Sequence, residues 1–200
     1  SFPDLEELRR HHGLDLTAPF LLTTYHPVTL EYGHTDEQMG ELVAALEEVD
    51  FRTVFTYPNA DAESRLIIDV IHEFAARHQA TQVAVNLGTR AYFGAMQHAA
   101  AMVGNSSSGI IEAASFKLPV VDIGNRQRGR ERGKNVIAVG NSRQDIVAGI
   151  RRAVSPEFGS TLEDLANPYG DGHAAERIVA TLEQVSLDDQ LVKKRFHEAG

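Results

Sequence analysis

Two kinds of apolar pattern alternate along the chain. Short continuous apolar runs, bounded by proline, glycine or asparagine, predict buried strands, and segments with apolar residues at helical spacing predict amphipathic helices. Strands are predicted at Pro19–Tyr25, Arg52–Tyr57, Thr81–Leu87, Ala101–Val103, Leu118–Ile123 and Asn135–Val139. Helices are predicted at Pro3–His12, Thr35–Val49 with Thr35 as its cap, Asp61–Arg77, Thr89–Ala99, Ser107–Phe116, Ser142–Val154 and His173–Val185. Ser155–Gly172 is predicted to be rich in loops, and the polar tail from Asp188 is left unassigned.

This alternation predicts a Rossmann-like α/β domain, with a parallel sheet of about six strands and helices on both faces. Ligands bind such sheets at the carboxyl ends of the strands, where the strand order reverses. The unusual loops of this chain all follow predicted strands: His26–Thr29, Pro58–Asp61, Asn86–Gly88, Gly104–Gly109 and Gly124–Gly133. We therefore expect these loops to gather along one rim and to form the binding site.

Composition narrows the class of protein. The 200 residues are 42% hydrophobic and 24% charged, which is enough for one sizeable core. A net charge of −9 argues against a general nucleic-acid binder, and the lack of cysteine excludes disulfides and cysteine–zinc sites. No apolar run approaches the roughly 20 residues that span a bilayer, and no signal-peptide pattern opens the chain. We expect a cytoplasmic protein without nucleic-acid or membrane partners.

The stretch Gly104–Glu112 carries the clearest chemical signal. A strand that ends in Gly-Asn-Ser-Ser-Ser-Gly and turns into a helix exposes backbone N–H groups, which predicts an anion site at Ser106, Ser107, Ser108 and Gly109. Glu112 follows about one helical turn later and is placed to bind a diol. A nucleotide with its ribose and phosphates would satisfy both, whereas a serine that only caps the helix is the simpler alternative.

The two common glycine-rich nucleotide motifs do not occur in the sequence. No G-x-G-x-x-G follows the first predicted strand, and no G-x-x-x-x-G-K-[ST] is found. A dinucleotide cofactor and a Walker-type nucleotidase are therefore disfavoured. The histidines lack metal-ligand spacing, so neither a metal nor a cofactor is expected.

Three further residues at the predicted rim are candidates for the site. His26 follows the first strand and titrates near neutral pH, so it can donate to a departing phosphate, although a solvated turn histidine is commoner. Asn59 follows the second strand and could simply be a turn residue. Arg126 opens a basic run in an acidic protein, and its guanidinium could bind phosphate or lie in a solvated loop.

Together these segments resemble the hydrolysing UDP-N-acetylglucosamine 2-epimerases of sialic-acid synthesis. The resemblance covers nearly the whole chain and rests on blocks in the same order: His26–Thr29, Tyr57–Asp61, Gly104–Glu112, Asn125–Arg130 and Tyr169–Gly172. It implies that residues 1–200 are one Rossmann-like UDP-binding domain, ending in the helix 173–185 and a polar tail. This would be the carboxyl-terminal domain of a glycosyltransferase-B-like enzyme of two domains, whose amino-terminal catalytic domain is absent from this chain.

The resemblance also implies roles for the candidate residues. Ser106 and Ser107 would hold the diphosphate, and Glu112 the ribose hydroxyls. The segment around Leu87 would offer its backbone to the uracil. By the same resemblance Asn59 and Arg126 would line the nucleotide, and His26 would be the catalytic histidine at the junction of sugar and phosphate.

The family eliminates UDP across C1 and C2 of the sugar and then adds water to release N-acetylmannosamine. Its proton-transferring carboxylates lie on the amino-terminal domain, so the present chain alone is expected to be inactive. The full-length protein is expected to be a homo-oligomer, a dimer or a tetramer, that takes a UDP-sugar.

Other functions remain open from the sequence. The non-hydrolysing bacterial epimerases share the fold but typically carry a Gly-His-Arg-Arg-Glu-type segment where this chain has Tyr25-His26-Pro27-Val28, which favours the hydrolysing branch. A UDP-diacetylbacillosamine 2-epimerase, a glycosyltransferase of the same architecture and a stand-alone nucleotide-binding module are the remaining alternatives.

Overall fold

The structure is a computed structural model that describes residues 2–193. Its centre is a six-stranded parallel sheet. The strands are β1 Leu21–Thr24, β2 Thr53–Thr56, β3 Thr81–Ala84, β4 Ala101–Gly104, β5 Val120–Ile123 and β6 Val136–Val139. Their order across the sheet is β3-β2-β1-β4-β5-β6, and every neighbouring pair is parallel. The order therefore reverses between β1 and β4, which is where an open sheet of this kind forms a ligand crevice.

Helices alternate with the first five strands in the chain, and further helices precede β1 and follow β6. The helices are α1 Leu5–His12, α2 Thr35–Val49, α3 Ser64–Arg77, α4 Gly88–His98, α5 Ser107–Ile111, α6 Arg143–Ala153, α7 Pro156–Ser160, α8 Ala174–Gln184 and α9 Asp189–Val192. Single 3₁₀ turns occupy Thr29–Glu31 and Ala113–Phe116. The predicted fold class, a Rossmann-like parallel α/β sheet, is confirmed.

Two apolar clusters cover the two faces of the sheet. One contains residues of α2, α3 and α6, such as Leu42, Phe74 and Ile146, all 0% exposed. The other contains residues of α1 and α4, such as Leu8 and Ala95, also 0% exposed. Burying each large aliphatic side chain contributes about 1.5–3 kcal/mol. The buried faces fix the sheet and leave its carboxyl-terminal rim to loops.

Several predicted boundaries were wrong. Thr35 is the first helical residue of α2 and its hydroxyl donates to Glu63 (2.8 Å), so it does not cap the helix. The predicted helix Ser107–Phe116 is α-helical only over Ser107–Ile111, and Ala113–Phe116 forms a 3₁₀ turn.

A predicted strand is too long, and a predicted loop region contains a short helix. The predicted strand Thr81–Leu87 ends at Ala84. The stretch Ser155–Gly172, expected to be rich in loops, also contains the short helix α7, which begins after a Ser155 cap with Pro156 in its first turn. Apart from the short helix α7, the differences fall at element ends, which are the least well defined part of an element.

The chain divides into two units, Ser1–Pro168 and Tyr169–Gly200. The first contains the whole sheet. In the second, α8 matches the predicted helix within one residue at each end, and Asp171 pairs with Arg177 beside its first turn. Part of the unassigned polar tail forms α9, and residues 194–200 lie outside the described residues.

Candidate functional site

An open cavity of about 410 Å³ lies at the carboxyl ends of β1, β2, β3 and β4. Four of the five loops that the sequence assigned to one rim contribute to it. It is lined by Thr24, His26, Thr56, Tyr57, Asn59, Val85, Asn86, Leu87, Gly88, Thr89, Tyr92, Phe93, Ser106, Ser108 and Glu112. The volume is in the range of small-molecule sites, and the cavity includes the point where strand order reverses.

His26 is held in place by the side chain of Asn105. The His26 N–H donates to Asn105 Oδ1 (2.7 Å), and Asn105 Nδ2 donates to the His26 carbonyl (2.8 Å). Asn105 is completely buried and His26 is 5% exposed. The Asn105 side-chain amide therefore joins the segment after β1 to the segment after β4, beyond the point where the strands themselves end.

The His26 ring has one nitrogen already engaged. The backbone N–H of Asn59 donates to His26 Nδ1 (3.1 Å). An acceptor nitrogen carries no hydrogen, so the hydrogen of the neutral ring is on Nε2. Burial, helped by the charge of Arg126 and opposed by Asp61, lowers the pKa of His26 to about 4. The ring is thus a neutral Nε2–H donor at neutral pH.

Asn59 lies in a tight turn that fixes this contact. Its carbonyl accepts from Ser64 Oγ (2.5 Å) and from the Asp61 N–H (2.8 Å). The turn interpretation of Asn59 is therefore correct for its backbone. The residue also lines the cavity, as expected of a residue that contacts a ligand.

The serine loop after β4 approaches the sheet closely because of its glycines. Gly104 has φ +136°, and a Cβ there would lie 2.0 Å from the Thr24 carbonyl oxygen. Ser106 caps α5, accepting at 3.4 Å from the Ser108 N–H, and both serines line the cavity. Ser107 and Gly109 do not appear in that lining; Gly109 is buried against Val120.

Glu112 has a buried carboxylate oxygen without a protein partner. Its Oε2 makes no hydrogen bond to any residue that the structure describes, and the side chain lines the cavity. Burial raises the pKa of this carboxyl, although a backbone N–H and the Ser108 hydroxyl lower it. A buried polar atom without a partner is costly, so Glu112 is suited to accept a hydrogen bond from a ligand.

The fifth loop, Gly124–Gly133, reaches the site through Asn105. Arg126 Nη1 (3.1 Å) and Gln127 Nε2 (2.7 Å) both donate to the Asn105 carbonyl. Arg126 is not part of the cavity lining. Another arginine of the basic run, Arg132, is bound to the buried carboxylate of Asp122 (2.9 Å) and anchors the loop. Burial raises the pKa of Asp122, and the ion pair opposes that rise.

Sequence reasoning missed residues on the floor of the cavity. The hydroxyls of Thr24 and Thr56 share a hydrogen bond, and the Tyr92 hydroxyl lies 3.4 Å from Thr24 Oγ1. Tyr92 lies one turn into α4, the helix that follows Leu87 and Gly88 at the rim. A search of the first turn of each helix that follows a rim loop would have found Tyr92.

The cavity lining is nearly uncharged. Of the described residues that line it, Glu112 alone is acidic and none is a lysine or an arginine. Within residues 2–193, no cluster of three histidine or acidic side chains has the arrangement for a metal ion. Over the same range, no helix has the length and hydropathy needed to cross a bilayer. A bound anion would therefore meet mainly hydroxyl, imidazole and backbone N–H donors.

Comparison with known proteins gives a family for this geometry. The model of the family described as UDP-N-acetylglucosamine 2-epimerase matches residues 3–183. A UDP-N,N'-diacetylbacillosamine 2-epimerase (hydrolyzing) of Legionella pneumophila is 34% identical over 92% of this chain and 48% of its own length. A GDP/UDP-N,N'-diacetylbacillosamine 2-epimerase (hydrolyzing) of Campylobacter jejuni is 34% identical over 96% of this chain and 50% of its own.

Solved structures agree on the fold. The UDP-GlcNAc 2-epimerase of Neisseria meningitidis, bound to UDP-GlcNAc, superposes with a TM-score of 0.64 at 16% identity, over 90% of this chain and 48% of that one. At this identity the likeness concerns the fold alone. The chain spans about half the length of the curated relatives it matches.

Proposed function

Because this chain belongs to the UDP-N-acetylglucosamine 2-epimerase family, we propose that it is the carboxyl-terminal, UDP-binding half of a hydrolysing UDP-N-acetylglucosamine 2-epimerase. The observation that carries the proposal is the cavity that brings His26 together with Ser106 and Glu112 at the reversal of strand order. In the proposed enzyme the other half is a second Rossmann-type domain of a glycosyltransferase-B-like pair.

The cavity offers complementary groups for each part of UDP. The buried, unpartnered Oε2 of Glu112 accepts from a ribose hydroxyl. Ser106 and Ser108, which line the cavity, donate to the diphosphate, and Ser107 lies between them as the first residue of α5. The uracil lies against the segment that contains Leu87, next to Asn59. Arg126 donates to the Asn105 carbonyl, so it acts on the nucleotide through its positive charge rather than by direct contact.

His26 has the form required for work at the sugar–phosphate junction. With Nδ1 accepting from Asn59, its Nε2–H can donate to the oxygen that links C1 to the diphosphate. Negative charge grows on that oxygen as the C1–O bond breaks, so a fixed donor there lowers the barrier. His26 thus stabilises the leaving group as a hydrogen-bond donor.

The reaction proposed for the complete enzyme has two steps. A base removes the proton at C2 while the C1–O bond to UDP breaks, which leaves a C1–C2 double bond. Water then adds its oxygen to C1. C2 receives a proton on the face opposite the one from which its first proton was removed, giving N-acetylmannosamine. Carboxylates from the other half supply the proton transfers, so this chain alone is expected to bind UDP weakly without turnover.

A second substrate is favoured by the relatives. Two hydrolysing epimerases that are each 34% identical are named for N,N'-diacetylbacillosamine. The sugar faces the other half of the cleft in the proposed enzyme, so the UDP site described above serves either substrate.

Product analysis tests the proposal. The complete protein, meaning this chain with the half that its relatives add, is incubated in D₂O with each UDP-sugar and followed by NMR. Free N-acetylmannosamine with deuterium at C2 supports hydrolysis of UDP-N-acetylglucosamine. UDP-N-acetylmannosamine would identify the non-hydrolysing reaction instead, and turnover of the bacillosamine sugar alone would identify the second substrate. UDP binding without turnover of either sugar would leave a nucleotide-binding module.

His26→Ala tests the assignment within the site. We expect UDP release to be abolished while UDP affinity stays within several-fold of wild type. His78→Ala is the matched control, since His78 ends α3 at the opposite edge of the sheet and bonds to Thr81. Retained turnover in His26→Ala would refute the role of the histidine and leave the UDP site untouched.

A further inference from the structure

We propose that the hydroxyl of Tyr92 is a phosphate donor of this site, binding the diphosphate of the nucleotide beside the serine hydroxyls. The proposal rests on the function argued above and adds a residue to it. The structural basis is that Tyr92 enters the cavity from α4, whereas Ser106 caps α5 and Ser108 lies in its first turn.

The surroundings of the Tyr92 hydroxyl are polar and closely spaced. Thr24 Oγ1 lies 3.4 Å away, at the long end of hydrogen-bond distances, and is itself shared with the Thr56 hydroxyl. The hydroxyls around it are neutral, so a charged phosphate oxygen would be a better acceptor for its hydrogen. The Tyr92 side chain is partly buried in the wall of the cavity.

The protonation state of Tyr92 suits a donor. Burial raises the pKa of its hydroxyl and the Glu112 charge adds to the rise, whereas hydrogen bonding to Thr24, Ser108 and Ser106 opposes it, and the net shift is upward. The phenol therefore keeps its proton at neutral pH. The same contacts place its oxygen among the two serine hydroxyls that the function assigns to the diphosphate.

The charge of the cavity makes such a donor valuable. Because none of the described lining residues is cationic, the direct contacts that this chain makes with the diphosphate come from neutral donors. Hydrogen bonds to a charged group are stronger than neutral ones, and each is worth roughly 10- to 100-fold in affinity. A phenol adds such a bond without adding a charge that would have to be desolvated in the empty site.

Calorimetry with three ligands tests the proposal. The complete protein and its Tyr92→Phe variant are titrated with UDP, UMP and uridine. We expect UDP to bind at least about ten-fold more weakly to the variant, while uridine affinity changes less than two-fold. Uridine binding also reports that the variant site is folded, because the phenylalanine keeps the ring and removes only the hydroxyl.

The matched control is Tyr25→Phe. Tyr25 is another buried tyrosine, 1% exposed, whose hydroxyl donates to Gln38 (3.0 Å) and which is not part of the cavity lining. This variant should bind all three ligands as wild type does, although it loses a hydrogen bond.

Two results would overturn the proposal. Unchanged UDP affinity in Tyr92→Phe would mean that the hydroxyl serves the protein and not the ligand. Equal weakening of UDP binding and uridine binding would mean that the Tyr92 hydroxyl contacts the nucleoside. Failure of the wild-type protein to bind UDP would instead refute the proposed function, so the two failures are distinct.

Discussion

Asn105→Ala should separate activity from stability at this site. Asn105 is fully buried and its amide satisfies both the N–H and the carbonyl of His26, at 2.7 and 2.8 Å. Truncation leaves those two backbone groups without partners in a place that water reaches poorly. Each such group costs about 1–3 kcal/mol, so we expect the free energy of unfolding to fall by about 2–6 kcal/mol.

The effect on catalysis should be larger than the effect on binding. Without the two hydrogen bonds from the Asn105 amide, His26 can shift relative to the serine loop. A displacement near 1 Å can lower the rate about 100-fold. We expect kcat for UDP release to fall by that factor, while UDP affinity, which depends mainly on other residues, changes by several-fold. Asn105→Asp keeps the acceptor for the His26 N–H but turns an oxygen toward the His26 carbonyl, so its kcat should be intermediate.

Asn135→Ala provides the matched control. Asn135 is also fully buried, and its Nδ2 donates to the Leu118 carbonyl (2.8 Å) at the amino-terminal edge of the sheet, away from the cavity. It should lose about 1–3 kcal/mol of stability with kcat unchanged. Urea titration and a coupled assay of UDP release measure both quantities. If Asn105→Ala is folded, binds UDP and keeps kcat within several-fold of wild type, the positioning role is wrong.

Three further predictions concern stability. Since the pKa of His26 is lowered to about 4, the unfolded chain takes up a proton there before the folded chain does, and stability falls as pH drops below about 6.5. Between pH 7 and pH 5 the loss from this residue should be about 2 kcal/mol in urea titrations, and His26→Gln should lack it. Gly104→Ala should cost more than about 3 kcal/mol or prevent folding, because its Cβ would overlap the Thr24 carbonyl oxygen; a wild-type unfolding midpoint would contradict the packing. Arg132→Met should cost about 3 kcal/mol at pH 7 by leaving Asp122 buried and unpaired, and adding Asp122→Asn should restore most of it. No recovery in that double variant would show that Arg132 stabilises the loop through packing.

Much of the fold could be predicted from local pattern. A strand buried on both faces needs a continuous apolar run, and a helix on a sheet needs apolar residues at helical spacing, so both leave a record in consecutive residues. All six strands were found in this way, five of them predicted longer than the four residues that pair and β4 predicted one residue shorter. The parallel arrangement followed because each strand is separated from the next by a helix or a long loop.

Part of the site could also be predicted. The serine loop and Glu112 are close in sequence, and the positions of His26, Asn59 and Leu87 after strands placed them on one rim. Whether each contacts a nucleotide stays a prediction until a ligand is bound.

Tertiary structure alone decided how the site is held together. Asn105 and His26 are 79 positions apart, and nothing in either segment signals that a side-chain amide will extend the sheet between them. Within the basic run, sequence could not tell that Arg132 would pair with a buried aspartate and that Arg126 would turn to the Asn105 carbonyl. The physical reason is the same in each case. Periodicity records which face of an element is buried, whereas these contacts depend on distances between separate elements that exist only after the sheet has assembled.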